Sequence, residues 1–184
     1  MLDQKIIDNP PFIPAKYFHK GRNLPVQLIV IHTMEAPEKG ETAENIAKYF
    51  ARGERVASAH YCIDNNSIVQ CVWDRDTAFA CPKANANGVQ LEHAGYAKQS
   101  ANDWADQYSL DMLNNSAQIA AYLCKKFKLP TQRAEFAGEF NPRVTSPGFC
   151  GHADVPLHGT HWDPGASFPW EFYLDLVRVF LKAK

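Results

Sequence analysis

The hydrophobic positions of the chain follow two different periods, which together predict a mixture of strands and helices. The almost unbroken apolar run 26–31 is typical of a central strand that is buried on both faces. Segment 58–63 alternates between polar and apolar residues, and an Asp-Asn-Asn-Ser turn links it to the apolar segment 68–73, which predicts a β-hairpin. A further short strand is expected at 88–92, where Gln90 and Glu92 share one face.

Three segments show the spacing of three and four residues that is typical of amphipathic helices. The first is 42–52, with Thr42 as a candidate N-cap and Gly53 at its end. The second is 109–127, with Ser109 as a candidate N-cap, and the third is a C-terminal helix that starts near Trp170. Segment 131–150 contains several prolines and glycines and is expected to be mostly loop. Strands and helices in this order predict an α/β fold.

The domain organisation follows from the length and from the proline content of the N-terminus. The chain has 184 residues, of which 46% are hydrophobic, and this size suits one globular domain. Residues 1–25 contain four prolines and no clear period, so we expect an extended N-terminal arm followed by one domain over 26–184.

Charge and hydropathy exclude several classes of protein. The net charge is −1 and the basic residues are scattered, which argues against a nucleic-acid-binding surface. No apolar run approaches the roughly 20 residues of a membrane span, and the N-terminus lacks the layout of a secretory signal. We therefore expect a protein that is made in the cytoplasm. We also expect it to be a monomer. The five cysteines form no C-x-x-C pair, so we expect neither a disulfide framework nor a cysteine zinc site.

The segment 151–165 carries the strongest chemical signal, because three histidines and two aspartates fall within one loop broken by proline and glycine. Imidazole and carboxylate groups are the ligands of catalytic zinc, which needs three protein ligands and one position for water. A histidine-rich surface turn is the alternative, and clustering alone does not decide between the two. Candidate partners lie at predicted strand ends, where sites form in α/β sheets: His32 as a distant ligand and Glu92 as a base.

Several short motifs together resemble the zinc-dependent N-acetylmuramoyl-L-alanine amidases of the type 2 family, which share a fold with peptidoglycan recognition proteins and many phage endolysins. Five motifs carry the resemblance: Val30-Ile31-His32-Thr33, Ser58-Ala59-His60-Tyr61, Leu91-Glu92-His93-Ala94-Gly95-Tyr96, Gly151-His152-Ala153-Asp154-Val155, and Asp163-Pro164-Gly165 with Phe168-Pro169-Trp170 after it. The fold implied is a single domain with a central mixed β-sheet flanked by helices.

The resemblance also implies roles for individual residues. His32, His152 and Asp163 would hold one zinc ion per chain, and Glu92 matches the catalytic glutamate of the family. Many members have lysine two residues before the third ligand, where this chain has His161, which would assist catalysis. Gln90 departs from a glycine that is common in the strand before the glutamate.

Other residues near these motifs have weaker assignments. His60 and Tyr61 either line a substrate groove or simply pack in their strand. Within the loop, Asp154 is expected to brace the structure, and His158 is expected to face solvent.

The function implied is hydrolysis of the amide between N-acetylmuramic acid and L-alanine in peptidoglycan, as in a bacteriolytic endolysin that reaches the cell wall after release. Two alternatives stay open. The chain is either a recycling amidase that acts on soluble anhydro-muropeptides in the cytoplasm or a peptidoglycan-binding module that does not cut its ligand. The filled set of three ligand positions favours an enzyme over the binding module.

Overall fold

The computed structural model describes residues 7, 9–138 and 143–183, and it contains one five-stranded mixed sheet at the centre. The strands of this sheet are β1 (Leu28–Thr33), β2 (Tyr61–Ile63), β3 (Ile68–Gln70), β4 (Gly88–His93) and β7 (Gly148–Gly151), in the spatial order β3-β2-β4-β1-β7. All neighbours are parallel except the hairpin partners β2 and β3. Strands β5 (Glu135–Ala137) and β6 (Arg143–Ser146) form a separate two-stranded sheet.

Helices cover both faces of the central sheet. The helices are α1 (Thr42–Arg52), α2 (Gln107–Phe127) and α3 (Trp170–Lys182). On one face, Ile29 and Ile31 belong to the same buried cluster as residues of α2 and α3, such as Leu113 and Tyr173. On the other face, α1 packs over β2 and β3, while Leu28 and Val30 pack against the segment after β3. The prediction of a single α/β domain with a mixed sheet between helices is confirmed.

The predicted elements match the structure best where one periodic pattern runs unbroken. Helix α1 spans the predicted residues, and Gly53 ends it with a left-handed φ of 68°. The two predicted N-caps are wrong, because Thr42 donates its hydroxyl to Pro37 O while Asp106, rather than Ser109, caps α2 by accepting the Ser109 N–H.

The prediction of mostly loop over 131–150 is wrong. This segment contains β5, β6 and most of β7, and β7 pairs with β1 from Leu28 to Ile31. Its four residues are all buried, but Gly148 and Gly151 at its ends conceal it from a search for apolar periodicity. The missed strand matters, because it leads directly into His152.

The N-terminal segment lies along the hairpin side of the sheet. Ile13 and Ala15 donate backbone hydrogen bonds to Gln70 and Cys71, and His19 exchanges backbone hydrogen bonds with Thr77. Between residues 9 and 25 the chain forms isolated bridges but no helix or strand. Residues 1–6 and 8 of the expected arm lie outside the described residues, and the boundary at residue 25 stays a prediction.

Within the described ranges, every helix is too short or too polar to traverse a lipid bilayer. All five cysteines are unpaired and buried.

Candidate functional site

Three adjacent parallel strands deliver the first residues of the site to one edge of the sheet. His32 is the penultimate residue of β1, Glu92 is the penultimate residue of β4, and His152 directly follows the last residue of β7. The register places His32 opposite Glu92, and Ile31 opposite Gly151. Because the carboxyl ends of parallel strands lie at the same edge, residues 60 or 120 positions apart in sequence become neighbours.

The loop after β7 folds back and brings Asp163 to the same edge. The Ala153 N–H donates to Asp163 O at 3.0 Å, which fixes the backbone of the aspartate beside the 3-10 turn His152–Asp154. Gly151 permits this approach, since a Cβ there would lie 2.5 Å from Pro164 Cδ. Asp154 accepts the Gly151 N–H and pairs with Arg133, so it braces the start of the loop as expected.

The three expected ligands meet in a compact group. One ligand atom from each of His32, His152 and Asp163 lies within 4.8 Å of the others, and all three residues are buried. Asp163 Oδ2 is 2.8 Å from His32 Nδ1, and Asp163 Oδ1 is 3.5 Å from His152 Nδ1. Zinc bonds of about 2.0–2.2 Å in a tetrahedron place ligand atoms about 3.4 Å apart. Two nitrogens and one carboxylate oxygen within 4.8 Å of one another need only small adjustments to fit a zinc ion.

The charges of this group are strongly coupled. Burial lowers the pKa of His32, but the hydrogen bond with Asp163 and the charges of Glu92 and Asp163 outweigh burial and raise it to about 9. Burial also lowers the pKa of His152, although its hydrogen bond with Asp163 opposes that effect. Burial favours the neutral form of Asp163, yet hydrogen bonds with both histidines hold its pKa far below the ordinary range. In the metal-free protein, His32 and Asp163 therefore form a buried ion pair.

Glu92 lies on the wall of the cavity that these residues share. The cavity has a volume of about 210 Å³ and opens to solvent; its other walls are Thr33, Glu35, Phe50, Ala57, Ser58, Phe79 and Ala80. Burial raises the pKa of Glu92 to about 7, against the lowering effect of the nearby His32. Its Oε2 is buried and finds no hydrogen-bond partner among the described residues. Glu92 is therefore a carboxylate that is not committed to a structural contact.

His161 stands at the exposed rim of the same cavity. Its ring stacks on His152 with 4.1 Å between centroids, and its Nδ1 is 3.6 Å from Asp163 Oδ1. The side chain is 59% exposed, whereas His32 and His152 are almost fully buried. This position gives His161 access both to the three candidate ligands and to a molecule in the cavity.

The structure does not bring His60 and Tyr61 into this cavity. His60 is fully buried: its Nδ1 accepts the Gln90 N–H, and its Nε2 lies 2.7 Å from Arg22 Nη2 and 3.2 Å from Asp76 O. Burial and the neighbouring Arg22 lower the pKa of His60 to about 3. The Tyr61 hydroxyl donates to Asp74 in a separate depression near the hairpin. Substrate contact by His60 and Tyr61 gains no support from their position, because both side chains are committed to structural hydrogen bonds.

Two buried side chains that the sequence did not assign make contacts with His32. Gln90 Oε1 lies 2.9 Å from His32 Nε2, and His93 Nδ1 lies 3.0 Å from the His32 carbonyl oxygen. His93 also contacts Ser116, which in turn contacts Tyr173, so the end of β1 is linked to α2 and α3. The alternation of β4 places Gln90 on the face of Glu92, but it gives no sign that the amide reaches His32.

Comparison with known proteins agrees with this geometry. The family model for N-acetylmuramoyl-L-alanine amidase matches residues 22–166. N-acetylmuramoyl-L-alanine amidase A from Achromobacter lyticus is 25% identical over 155 residues, which cover 82% of each chain.

Solved structures show the same fold at lower identity. Staphylococcus aureus hydrolase AmiA, crystallised with its ligand, aligns with a TM-score of 0.71 and 18% identity over 97% of this chain and 88% of that one. A selenomethionine derivative of AmpD aligns with a TM-score of 0.67 and 18% identity over 96% and 99% of the two chains. From the family match over most of its length, the chain belongs to the N-acetylmuramoyl-L-alanine amidase family and is an amidase.

Proposed function

We propose that this amidase uses zinc to hydrolyse the amide between the lactyl group of N-acetylmuramic acid and the L-alanine of the stem peptide in peptidoglycan. One observation carries the proposal: a buried group of two histidines and one aspartate lies in a solvent-open cavity beside a carboxylate oxygen that has no hydrogen-bond partner among the described residues. The relative from Achromobacter lyticus carries the name of this activity.

His32, His152 and Asp163 would hold the zinc ion, with two neutral imidazoles and one anionic oxygen as donors. When bound, zinc supplies a water of lowered pKa and a Lewis acid that polarises the scissile carbonyl. The fixed separations among the three donors favour binding, because the site needs little rearrangement to accept the ion.

Glu92 would act as the general base and then as the general acid. Its carboxylate accepts the proton of the attacking water and delivers it to the departing amine of L-alanine. A pKa of about 7 in the metal-free site is close to the value that suits both steps near neutral pH. Its position opposite His32 in the sheet holds the carboxylate beside the ligands without making it one of them.

His161 would stabilise charge at the cavity rim. Its ring is exposed and stacked on His152, so one nitrogen is available to donate to the oxyanion or to the leaving nitrogen.

An exposed aromatic side chain lies next to the site residues in the chain. Trp162 stands between His161 and Asp163 and is 55% exposed, so its ring offers a flat surface on which a sugar of the substrate would stack. We propose a wall-lytic, endolysin-like role; recycling of soluble anhydro-muropeptides, which also carry a sugar ring, is the alternative that the assay below tests. Endolysins are among the solved structures with this fold, for example LysCS from Clostridium intestinale, with a TM-score of 0.59 and 16% identity over 92% of this chain and 96% of that one.

The test compares intact sacculi with purified soluble muropeptides, for zinc-loaded protein and for protein stripped with a chelator. We expect new L-alanine amino ends from sacculi, no release after stripping, and recovery when zinc is restored. Faster cleavage of soluble anhydro-muropeptides than of sacculi would favour the recycling role. One bound zinc per chain without any new amino ends would contradict the proposed reaction and indicate a binding module.

A further inference from the structure

Gln90 occupies a buried position between the segment after the hairpin and the proposed zinc ligand His32. Its side chain is fully buried in β4 and makes two hydrogen bonds. Gln90 Nε2 donates to the backbone carbonyl of Ala84 at 3.0 Å, and Gln90 Oε1 lies 2.9 Å from His32 Nε2. Ala84 is itself buried and held by a backbone hydrogen bond to Cys81.

The direction of this chain of hydrogen bonds is fixed at its far end. A backbone carbonyl only accepts, so the group of Gln90 that faces Ala84 must be the NH₂ and the group that faces His32 must be the oxygen. An amide oxygen also only accepts, and therefore His32 must carry a proton on Nε2. In the neutral ring this leaves the lone pair on Nδ1, which is the nitrogen that faces Asp163 at 2.8 Å.

From these contacts we infer that Gln90 is a positioning residue that sets the tautomer of His32, so that Nδ1 is the nitrogen presented to the metal. The inference rests on the proposed function, because it takes His32 as a zinc ligand. With the amide reversed, its oxygen would face the Ala84 carbonyl, and its NH₂ would require a lone pair on His32 Nε2. The proton would then lie on Nδ1 and block coordination.

A glycine makes room for this arrangement. A Cβ on Gly88 would lie 2.4 Å from Ala84 O and 2.9 Å from Gln90 Nε2, so any side chain at this position would push the two hydrogen-bonded atoms apart. Phe79 and Ala80 of the same segment line the cavity. The segment that forms part of the cavity wall thus also supplies the carbonyl that orients the ligand.

The experiment measures zinc affinity by competition with a chelator, in the absence of substrate, for the wild type and two variants. Gln90→Met keeps the approximate volume but removes the acceptor, and we expect zinc to bind about 10–100-fold more weakly, as for loss of other groups that orient metal-bound histidines. The matched control is Gln70→Met, since Gln70 is also a buried strand glutamine whose side-chain amide donates a hydrogen bond to a backbone carbonyl, on the far side of the sheet. We expect the zinc affinity of the control to stay within about threefold of the wild type, a much smaller change than the one expected for Gln90→Met.

A second variant and a spectroscopic readout protect the test against misfolding. Gly88→Ala leaves Gln90 and every proposed ligand unmutated, but its methyl group would push the Ala84 carbonyl and the Gln90 amide apart, and we expect zinc to bind more weakly, as in Gln90→Met. In ¹⁵N-labelled, zinc-loaded wild type, the His32 ring should show a protonated Nε2 and a coordinated Nδ1.

The outcomes separate this inference from the proposed function. Coordination of zinc through His32 Nε2, or wild-type affinity in folded Gln90→Met and folded Gly88→Ala, would overturn the role of Gln90 while leaving a zinc amidase intact. A wild-type protein that binds no zinc would overturn both.

Discussion

His32 and Glu92 face each other across the parallel strands β1 and β4, and both side chains reach the same cavity. This relationship places the imidazole of a proposed zinc ligand and an uncommitted carboxylate side by side through backbone register alone. Strands are held by many hydrogen bonds, so the two groups keep their separation without help from a mobile loop. The pairing suggests separate roles, with His32 binding the ion and Glu92 moving protons, and these roles are separable by mutation.

Replacement of Glu92 should remove turnover but not the metal. For Glu92→Gln we expect kcat to fall about 10²–10⁴-fold, the usual contribution of a general base. Zinc content measured by elemental analysis should stay near one ion per chain.

The control for this variant is Glu35→Gln, since Glu35 lines the same cavity but is committed to Thr33 Oγ1 and the Ala97 N–H. If Glu35→Gln lost the activity and Glu92→Gln retained it, the base would be Glu35.

His161 and Asp163 should respond differently to removal, although both lie beside His152. Asp163 is buried and contacts both ligand histidines, so Asp163→Ala should lose zinc. His161 is largely exposed, so His161→Ala should keep zinc and lower kcat, by about 10²-fold if it donates to the oxyanion. Zinc content and kcat measured on the same samples test this difference. The reverse pattern, with metal lost from His161→Ala and kept in Asp163→Ala, would make His161 the third ligand.

Part of this site was predictable from the chain because it lies where periodic patterns end. The apolar run of β1 ends near His32 and the alternation of β4 ends near Glu92, so the sequence alone predicted that both residues lie at the ends of strands. The match to the amidase family then joined them with His152 and Asp163.

Other parts depend on contacts that local patterns do not encode. Strand β7 is short and bounded by glycines, so its position beside β1 emerges only in the folded sheet. His60 is committed to Gln90 and lies against Arg22, which is 38 residues earlier in the chain, and no local spacing reveals such a contact. The hydrogen bond from the Gln90 side-chain amide to the Ala84 carbonyl depends in the same way on how the segment before β4 folds.

Zinc binding should become tighter as pH rises towards 9. In the metal-free protein His32 has a raised pKa of about 9, so between pH 6.5 and 9 zinc must displace a proton from this ring. One displaced proton predicts that the apparent affinity rises up to tenfold per pH unit and levels off above about pH 9.

The raised pKa of His32 also makes the stability of the metal-free protein depend on pH. The folded-state pKa of His32 lies above the unfolded value of about 6.5, so the contribution of its ion pair is complete below pH 6.5 and is lost as pH rises through 9. Chelator competition and urea unfolding across pH 6–10 measure the two effects. A zinc affinity that is flat between pH 7 and 9 would show that His32 is already unprotonated.

The position of Asp163 should depend on the lack of a side chain at Gly151. The backbone of Gly151 has an ordinary φ of −83°, so alanine there causes no backbone strain, but its methyl would lie 2.5 Å from Pro164 Cδ and 3.2 Å from Asp163 O. The loop must then move, and we expect Gly151→Ala to weaken zinc binding about tenfold or more, because it displaces one ligand from the other two.

Gly159 is a matched control within the same loop. It has a φ of +70°, and a Cβ added there would have none of the described atoms within 4 Å, so Gly159→Ala introduces strain without a clash. That strain should reduce the free energy of unfolding by about 1–2 kcal/mol while zinc affinity is unchanged. Equal zinc affinity in the two variants would show that Asp163 reaches its position without the close contact at Gly151. The two variants thus distinguish a steric displacement of Asp163 from a general weakening of the loop.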